Sequence, residues 1–323
     1  MIHYLRHGEI DKVKWDACID RAQYNILYGY SWYLDIVSPA WDALIEDDYE
    51  TVFPLTWKKK YGLHYLTQPN FAQQLGIFSI HPLSGEQISS FLDAIPKTFL
   101  HYDLYMNPLN ECPLQSKYFY RTRKTYHVHL NAPYAGLFQK YSGDTKRNLK
   151  KFSKKHLHLN SIPVQDVIEL YKRNVWYKTP ALKMKDYLTL NDLSGEVAAR
   201  KKCLSIGCFE NEVLSAGAVF FISGDKIIFV FGSANLTGRR NGAMRFIFDH
   251  VIRTYANRNL VLDFEGSSVK TVEYFYKSFG PDKIIFTNIR YSKHVLLTGM
   301  IEMKQKITKM IARKKIISRF AMK

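Results

Sequence analysis

The chain has 323 residues, of which 46% are hydrophobic and 15% aromatic, and its formal net charge is +17. This length holds two domains of ordinary size or one fold built twice, and the apolar content excludes wholesale disorder. No apolar run approaches the roughly 18–20 residues that a membrane-spanning helix needs.

The positive charge is concentrated in two segments. Residues 140–158 contain seven Lys or Arg with only Asp144 in opposition, and residues 300–323 contain eight with only Glu302. The two segments therefore contribute +6 and +7 of the total. Basic segments indicate polyanionic partners, which are nucleotide phosphates, RNA or an anionic membrane face. Two solvated helix faces would give the same pattern, and both interpretations stay open.

The first residues and the cysteines indicate a compartment. The stretch MIHYLRHGEIDKVKWD lacks the apolar run of a signal peptide. Four cysteines, at 18, 112, 203 and 208, form neither a CxxC pair nor a metal-finger spacing. We therefore expect reduced, buried thiols in a cytoplasmic protein.

The N-terminal half is predicted to contain two strands, a helix and a third strand. The first two strands cover residues 41–46 and 51–57 and are joined at Asp47-Asp48. The helix after them presents apolar side chains on one face, at Ile88, Phe91, Leu92 and Ile95. The third strand covers residues 102–106.

The segment between the halves is predicted to hold a linker and a basic helix. Residues 131–136 have the composition of a linker. Ser142-Gly143-Asp144 then caps a helix that begins near Thr145, because short polar side chains accept hydrogen bonds from the first N–H groups of a helix.

The C-terminal half repeats this plan more clearly. Its predicted elements, in order, are strands at 203–210, 213–222 and 226–232, a loop at 233–243, an amphipathic helix at 241–256, and a strand ending in Asp263-Phe264-Glu265-Gly266. A shorter helix ends at Gly280-Pro281, and a last strand covers 283–291. A loop that leads into a helix N-terminus offers N–H groups to a phosphate. Gly242 at this helix start is consistent with close approach to a ligand.

Two motifs in this half resemble those of the GNAT family of CoA-dependent N-acyltransferases. Arg239-Arg240-Asn241-Gly242-Ala243-Met244 is similar to the R/Q-x-x-G-x-G/A loop that holds the CoA pyrophosphate, with Met244 in place of the small last residue. Tyr276-Lys277-Ser278-Phe279-Gly280 is similar to the Y-x-x-x-G-F helix ending, with the Phe before the glycine. In many GNAT enzymes that Tyr protonates the CoA thiolate.

The two-copy plan with a basic helix between the halves resembles the Fem-like subset of this family. Those transferases add amino acids from aminoacyl-tRNA to lipid-linked peptidoglycan precursors. The resemblance implies an α/β (α+β) fold of two tandem GNAT-like halves, each a mixed, mainly antiparallel sheet flanked by helices. We assign residues 1–130 to the first half, 131–299 to the second with its basic entry helix, and 300–323 to a basic amphipathic C-terminal helix.

The candidate site residues follow from the chemistry of acyl transfer. The attacking amine must lose a proton, and the leaving group must gain one. In a regular strand Asp263 and Glu265 lie on one face, so that either could be the base, while Tyr276 is the candidate acid. Paired acids at a strand end also cap helices or bind Arg, and Tyr276 also fits an apolar helix face. The predicted donor-binding residues are Arg239, Arg240, Asn241, Gly242 and Ala243, and the predicted substrate-binding residues are Gln68, Gln73 and Lys178.

The leading interpretation is an N-acyltransferase that moves an acyl group from acyl-CoA to an amine acceptor, with no permanently bound cofactor and no metal. The alternatives are a Fem-like aminoacyltransferase that uses aminoacyl-tRNA in cell-wall precursor modification, and a non-catalytic binding module on the same fold. A basic tail at an anionic membrane would place the protein at the inner membrane face. His127-x-His129 places two imidazoles on one strand face without an evident third ligand, and we interpret the pair as structural.

Overall fold

The computed structural model describes residues 1–60, 62–152, 157–174, 182–266 and 269–293. The chain divides into two compact units: Met1–Lys124 with the described residues from Ile285 onward, and Thr125–Ile284. The strands are β1 Ile2–Leu5, β2 Trp41–Glu46, β3 Thr51–Lys60, β4 Leu63–Thr67, β5 Phe78–Ser79, β6 Phe99–Tyr105, β7 Phe119–His129, β8 Leu157–Ser161, β9 Cys203–Glu210, β10 Val213–Ser223, β11 Lys226–Ala234, β12 Val261–Asp263 and β13 Asp282–Ser292. The helices are α1 Lys12–Arg21, α2 Ser31–Val37, α3 Gly85–Asp93, α4 Tyr134–Gln139, α5 Gly143–Phe152, α6 Val164–Asn174, α7 Met184–Ala199, α8 Leu236–Asn241, α9 Ala243–Tyr255 and α10 Lys270–Lys277.

The first unit is built on a mixed sheet in the order β1-β2-β3-β4-β6-β13, with β5 paired to β3. The strand pairs are antiparallel except β4 with β6, which is parallel. Helix α3 begins in a capping box, since Ser84 and Gln87 each accept from the other's backbone N–H. The apolar face of α3 packs into a core that also holds Phe53, Leu55 and Leu104.

The second unit has a sheet in the order β7-β12-β11-β10-β9-β8, in which β11 and β12 pair in parallel and the other neighbouring strands in this order are antiparallel. Its core is rich in aromatic rings around Phe248 of α9, which is fully buried. The Phe248 ring lies 4.9–5.7 Å, between centroids, from those of Phe220, Phe229, Phe264, Phe275 and Phe279. These contacts, which are mostly edge-to-face, fix α9 and α10 against the sheet.

The structure confirms the predicted fold class and the repeated plan. In the first unit, antiparallel β2, β3 and β4 lead through α3 to β6, which is parallel to β4. In the second unit, β9, β10 and β11 lead through α8 and α9 to β12, which is parallel to β11. Strand β7, which follows β6 in the chain, pairs through residues 127–129 with β12 of the second unit. Strand β13, which follows β12 in the chain, pairs through residues 288–292 with β6 of the first unit.

Two local predictions were wrong. Residues 131–136 are not an open linker, because α4 begins at Tyr134 and buries Leu137. The loop predicted at 233–243 contains helix α8, whose N-terminus is capped by the Asn235 side chain accepting from the Gly238 N–H at 2.7 Å. The predicted cap of the basic helix α5 is present, since the Thr145 N–H donates to Ser142 Oγ. The domain boundaries at residues 130 and 299 stay predictions, and the tail at 300–323 lies outside the described residues.

Candidate functional site

The second unit contains an opening between two parallel strands. Strands β11 and β12 pair only through Lys226–Ile228 and Val261–Asp263, although β11 continues to Ala234. A bulge follows at once, because Val219 pairs with Phe231 and Phe220 with Phe229, which leaves Val230 opposite no residue of β10. A bulge bends its strand and increases its twist. We call this opening the fork and define it by Phe229 and Val230 on β11 and by Phe264 and Glu265 after β12.

Asp263 ends β12 at the base of the fork and is held by three groups. Its Oδ1 accepts from the Thr125 hydroxyl at 2.5 Å and from the Glu265 N–H at 2.8 Å, and its Oδ2 lies 3.2 Å from His127 Nε2. Burial alone would raise the pKa of Asp263, but the His127 imidazole, the Thr125 hydroxyl and the Glu265 N–H outweigh it and lower that pKa. Asp263 is therefore an ionised anchor for the turn after β12.

Glu265 occupies the turn itself and is not on the same strand face as Asp263. The strand ends at Asp263, and Glu265 has a left-handed backbone with φ +55°. The prediction that both carboxylates extend one strand face was therefore wrong; the hydrogen bond from the Glu265 N–H to Asp263 fixes the turn instead. Glu265 keeps partial exposure as a residue. Desolvation of its carboxyl nevertheless raises the pKa of Glu265 to about 8.

Tyr276 lies on α10, on the side of the fork that faces the aromatic core. The residue is only 6% exposed, and its ring centroid is 4.9 Å from that of Phe264 and 6.5 Å from that of Phe229. Burial and then the nearby charges of Glu265 and Asp263 raise the pKa of Tyr276, so that the phenol stays protonated. Its hydroxyl makes no hydrogen bond within the described ranges. The structure thus brings the three predicted catalytic residues together.

The predicted donor-binding residues lie at the junction of α8 and α9. Arg239 donates to the carbonyl oxygens of Ala234 at 2.9 Å and Asn174 at 3.1 Å, and Asn241 donates to the Glu210 carboxylate at 2.6 and 2.8 Å. Both side chains therefore brace α8. Arg239 and Arg240 are both exposed, and the Arg240 side chain makes no hydrogen bond within the described residues.

Gly242 connects the two helices with φ +70°, a conformation that favours glycine. Ala243 is buried and begins α9, and no side chain in the described part of the chain caps this helix. The first N–H groups of α9 are the ones that a helix leaves without internal partners. The junction therefore offers backbone donors and a helix dipole to an anion, rather than an arginine clamp.

The predicted substrate-binding residues do not lie with the others. Gln68 is in the first unit, where its side chain donates to Ala72 O at 2.6 Å and accepts from the Tyr105 N–H at 3.3 Å. Gln73, in the same loop, accepts from Gln74 Nε2 at 2.6 Å. Lys178 lies outside the described residues.

The supports of Asp263 were not recognised as site residues from the sequence. Thr125 and His127 are two residues apart on β7 and so share one face of the strand. His127 is the cross-strand partner of Asp263. This position supports the structural interpretation of His127. The described residues contain no group of three metal-ligating side chains, and none of their helices is long and apolar enough to cross a membrane.

Neither a protein-family model nor a curated protein matches the sequence. Solved structures match the fold across most of the chain. FemX matches 93% of this chain and 100% of its own with a TM-score of 0.62 at 11% identity. A conserved protein of unknown function from Bacteroides thetaiotaomicron matches 91% and 100%, with a TM-score of 0.57 at 10% identity. L-PGS from Bacillus licheniformis matches 90% and 95%, with a TM-score of 0.52 at 12% identity. At such identities the similarity shows the fold alone, which is a mixed α/β fold shared with FemX and L-PGS.

Proposed function

We propose that the protein is an acyltransferase that moves an acyl group from acyl-CoA to an amine acceptor at the fork of the second unit. One observation carries this proposal: a carboxyl group with a pKa of about 8 and a protonated phenol meet where β11 leaves β12. A general base is most effective when its pKa lies near the working pH. The GNAT-like motifs and the fold similarity to FemX are consistent with this chemistry.

The reaction needs one proton removed and one supplied. Glu265, when ionised, accepts the proton of the attacking amine as the new C–N bond forms. Backbone N–H groups on the edge of β11 beyond Ile228 stabilise the oxyanion, because this edge has no strand partner on the side of β12 among the described residues. The C–S bond then breaks, and Tyr276 donates its proton to the CoA thiolate. Solvent returns the proton from Glu265 to Tyr276.

The donor phosphates are assigned to the N-terminus of α9. The N–H groups of Ala243 and Met244, together with the helix dipole, attract an anion there. Arg240 adds an exposed positive charge, whereas Arg239 is occupied by two backbone carbonyls. Binding of the pyrophosphate in this proposal therefore depends on the backbone and on Gly242.

An aminoacyl-tRNA donor is the second candidate, and helix α5 favours it. This helix carries Lys146, Arg147 and Lys150 and has a single acidic residue, Asp144, in its first turn. Contacts of such side chains with RNA phosphates weaken steeply with salt. Fold similarity to FemX and to a lysylphosphatidylglycerol synthetase domain from Agrobacterium fabrum is consistent with this donor. A lipid-linked acceptor and a membrane-bound tail belong to this alternative.

Thermal unfolding with CoA, acetyl-CoA or aminoacylated tRNA, each at two salt concentrations, separates the donors. The measurements compare the wild type with two matched variants, Met244→Glu and Met244→Gln. Both variants lose the same packing, but only Glu places a negative charge at the helix end, where it stabilises the helix and repels phosphate. Stabilisation by CoA that survives salt and is lost only in Met244→Glu supports the acyl-CoA donor. Salt-sensitive stabilisation by aminoacylated tRNA alone favours the second candidate, the aminoacyl-tRNA donor. If none of the three ligands stabilises the protein, the result indicates a non-catalytic module.

A further inference from the structure

A polar cluster in the first unit lies on the sheet face opposite its apolar core. Strand β6 contributes His101, Asp103 and Tyr105, while Tyr102 and Leu104 face the core. In the antiparallel register Asn288 lies opposite Tyr105 and Arg290 lies opposite Asp103. Since paired residues share a face, all five polar side chains point the same way. We call this set, with Arg123 of β7, the Arg123 cluster.

The charges of the Arg123 cluster do not balance. Arg290 pairs with Asp103 at 3.1 Å, and Asn288 Nδ2 donates to the other oxygen of Asp103 at 2.8 Å. Desolvation lowers the pKa of His101, which keeps its imidazole neutral. Arg123 contacts the Tyr105 hydroxyl at 3.2 Å and lies over its ring at 5.2 Å, with no carboxylate beside it among the described residues. The cluster therefore carries one uncompensated positive charge.

Several hydrogen-bonding atoms in the cluster are buried and unused. Arg123 Nε has no acceptor in the described part of the chain, although it is shielded from solvent. Asn288 is fully buried, and its Nδ2 donates to Asp103 and to Leu104 O. Its Oδ1 has no donor among the residues that the structure describes. The pKa of Tyr105 is raised by burial and by Asp103, so that its phenol keeps a proton. A buried donor without a partner is costly, and a ligand that supplies one recovers that cost.

We propose that the Arg123 cluster binds an oxyanion, a carboxylate or a phosphate, carried by the acceptor substrate. Arg123 Nε and the Tyr105 hydroxyl converge as donors for the anion, and Asn288 Oδ1 accepts from an N–H or O–H group next to it. Guanidinium and phenol together suit a planar or tetrahedral oxyanion. The Asp103 side chain is 21% exposed, so that the face is recessed and open to solvent. Assignment of this anion to the acceptor rests on the proposed function; the anion site itself does not.

The test measures binding without turnover. Thermal unfolding and calorimetric titration of the full chain are run with sodium phosphate, sodium acetate and sodium chloride at equal ionic strength. Arg123→Gln is compared with Arg121→Gln, which removes the same charge from an exposed position two residues away on β7. We expect phosphate or acetate to raise the unfolding temperature by several degrees beyond chloride. Arg123→Gln is expected to weaken that binding at least tenfold, and Arg121→Gln less than twofold.

The outcomes separate the sources of the anion and the two proposals. A preference for phosphate indicates a phosphorylated acceptor, and a preference for acetate indicates a carboxylate such as that of an amino acid or peptide. If Arg123→Gln does not fold, Arg123→Lys retains the charge without Nε and is expected to weaken binding about threefold to tenfold. Equal losses in the Arg121 and Arg123 variants, or no anion effect beyond chloride, overturn the site. Binding that persists in Glu265→Gln while no donor gives turnover in the wild type leaves the site standing and refutes the proposed function.

Discussion

Replacement of Glu265 by Gln is expected to stabilise the protein at alkaline pH. In the folded state burial raises the pKa of Glu265 from 4.5 to about 8. Below pH 4.5 the carboxyl is protonated in both the folded and unfolded states, and it carries no penalty. As the pH rises towards 8, the unfolded chain ionises first, so that stability from the neutral carboxyl is progressively lost. The Gln side chain is neutral at every pH, so that the variant does not lose this stability as the pH rises.

The size of the effect follows from the two pKa values. One pKa unit corresponds to about 1.4 kcal/mol, and the full difference would therefore approach about 5 kcal/mol above pH 8. Because Glu265 is partly exposed, solvent screening reduces this, and we expect about 2–5 kcal/mol. In a cooperative unit of 150–250 residues, about 2–4 °C of unfolding temperature corresponds to each kcal/mol.

The assay is urea denaturation of wild type and Glu265→Gln at four pH values between 5 and 8.5. The control is Glu212→Gln, because Glu212 has the same left-handed backbone, with φ +61°, and a side chain that is 89% exposed. The difference in unfolding free energy between Glu265→Gln and wild type should grow with pH, and that of the control should stay flat. A difference that does not change with pH would refute the burial argument. In turnover, kcat/KM should rise with an apparent pKa near 8 and fall about 10²–10⁴-fold in Glu265→Gln.

Three further substitutions test the site and its supports. Tyr276→Phe should lower kcat about 10²-fold or more without loss of fold by circular dichroism, whereas Tyr274→Phe, which is 62% exposed on the same helix, should have no effect. Thr125→Val removes the hydroxyl bonded to Asp263 and should cost about 1–3 kcal/mol in urea denaturation; an unchanged midpoint would contradict the role of that bond. Gly238→Ala should cost about 1–3 kcal/mol, because its Cβ would lie 2.2 Å from Ser215 O, while Gly136→Ala has open space and should be neutral or stabilising by calorimetry.

The sequence predicted strands where Val, Ile and Phe recur between turn residues. Strands β9 and β2 were predicted with the bounds that the structure has. Helix α8 was missed because LTGRRN has no apolar periodicity. It forms since Asn235 caps it and Gly238 allows close approach to β10. The sequence also could not predict which strands pair with β7 and β13, because pairing between strands far apart in sequence depends on tertiary register.

The structure brings together three residues that the sequence predicted as a set, and their catalytic roles stay predictions. Tyr276, Asp263 and Glu265 were recognised from their order along the chain. Their different roles were not, because the pKa of each carboxyl depends on groups that the sequence does not place beside it. Thr125 and His127 come from β7, 138 and 136 residues before Asp263, and they make Asp263 an anchor. For Glu265, by contrast, desolvation by burial raises the pKa.

The duplicated plan also explains why we assign the chemistry to only one unit. In the second unit β11 leaves β12 after three residue pairs, which opens the fork. In the first unit β4 pairs with β6 up to its end at Thr67, and the chain after it stays on β6. The Gln68 N–H donates to Asp103 O, the Leu75 N–H donates to Tyr105 O, and Leu75 forms a parallel bridge with Met106. In the first unit the loop thus forms hydrogen bonds with the strand edge that corresponds to the one we assign to the ligand in the fork. We therefore expect acyl-donor binding to be abolished by changes at the α9 N-terminus and to be insensitive to changes at Gln68 or Gln73.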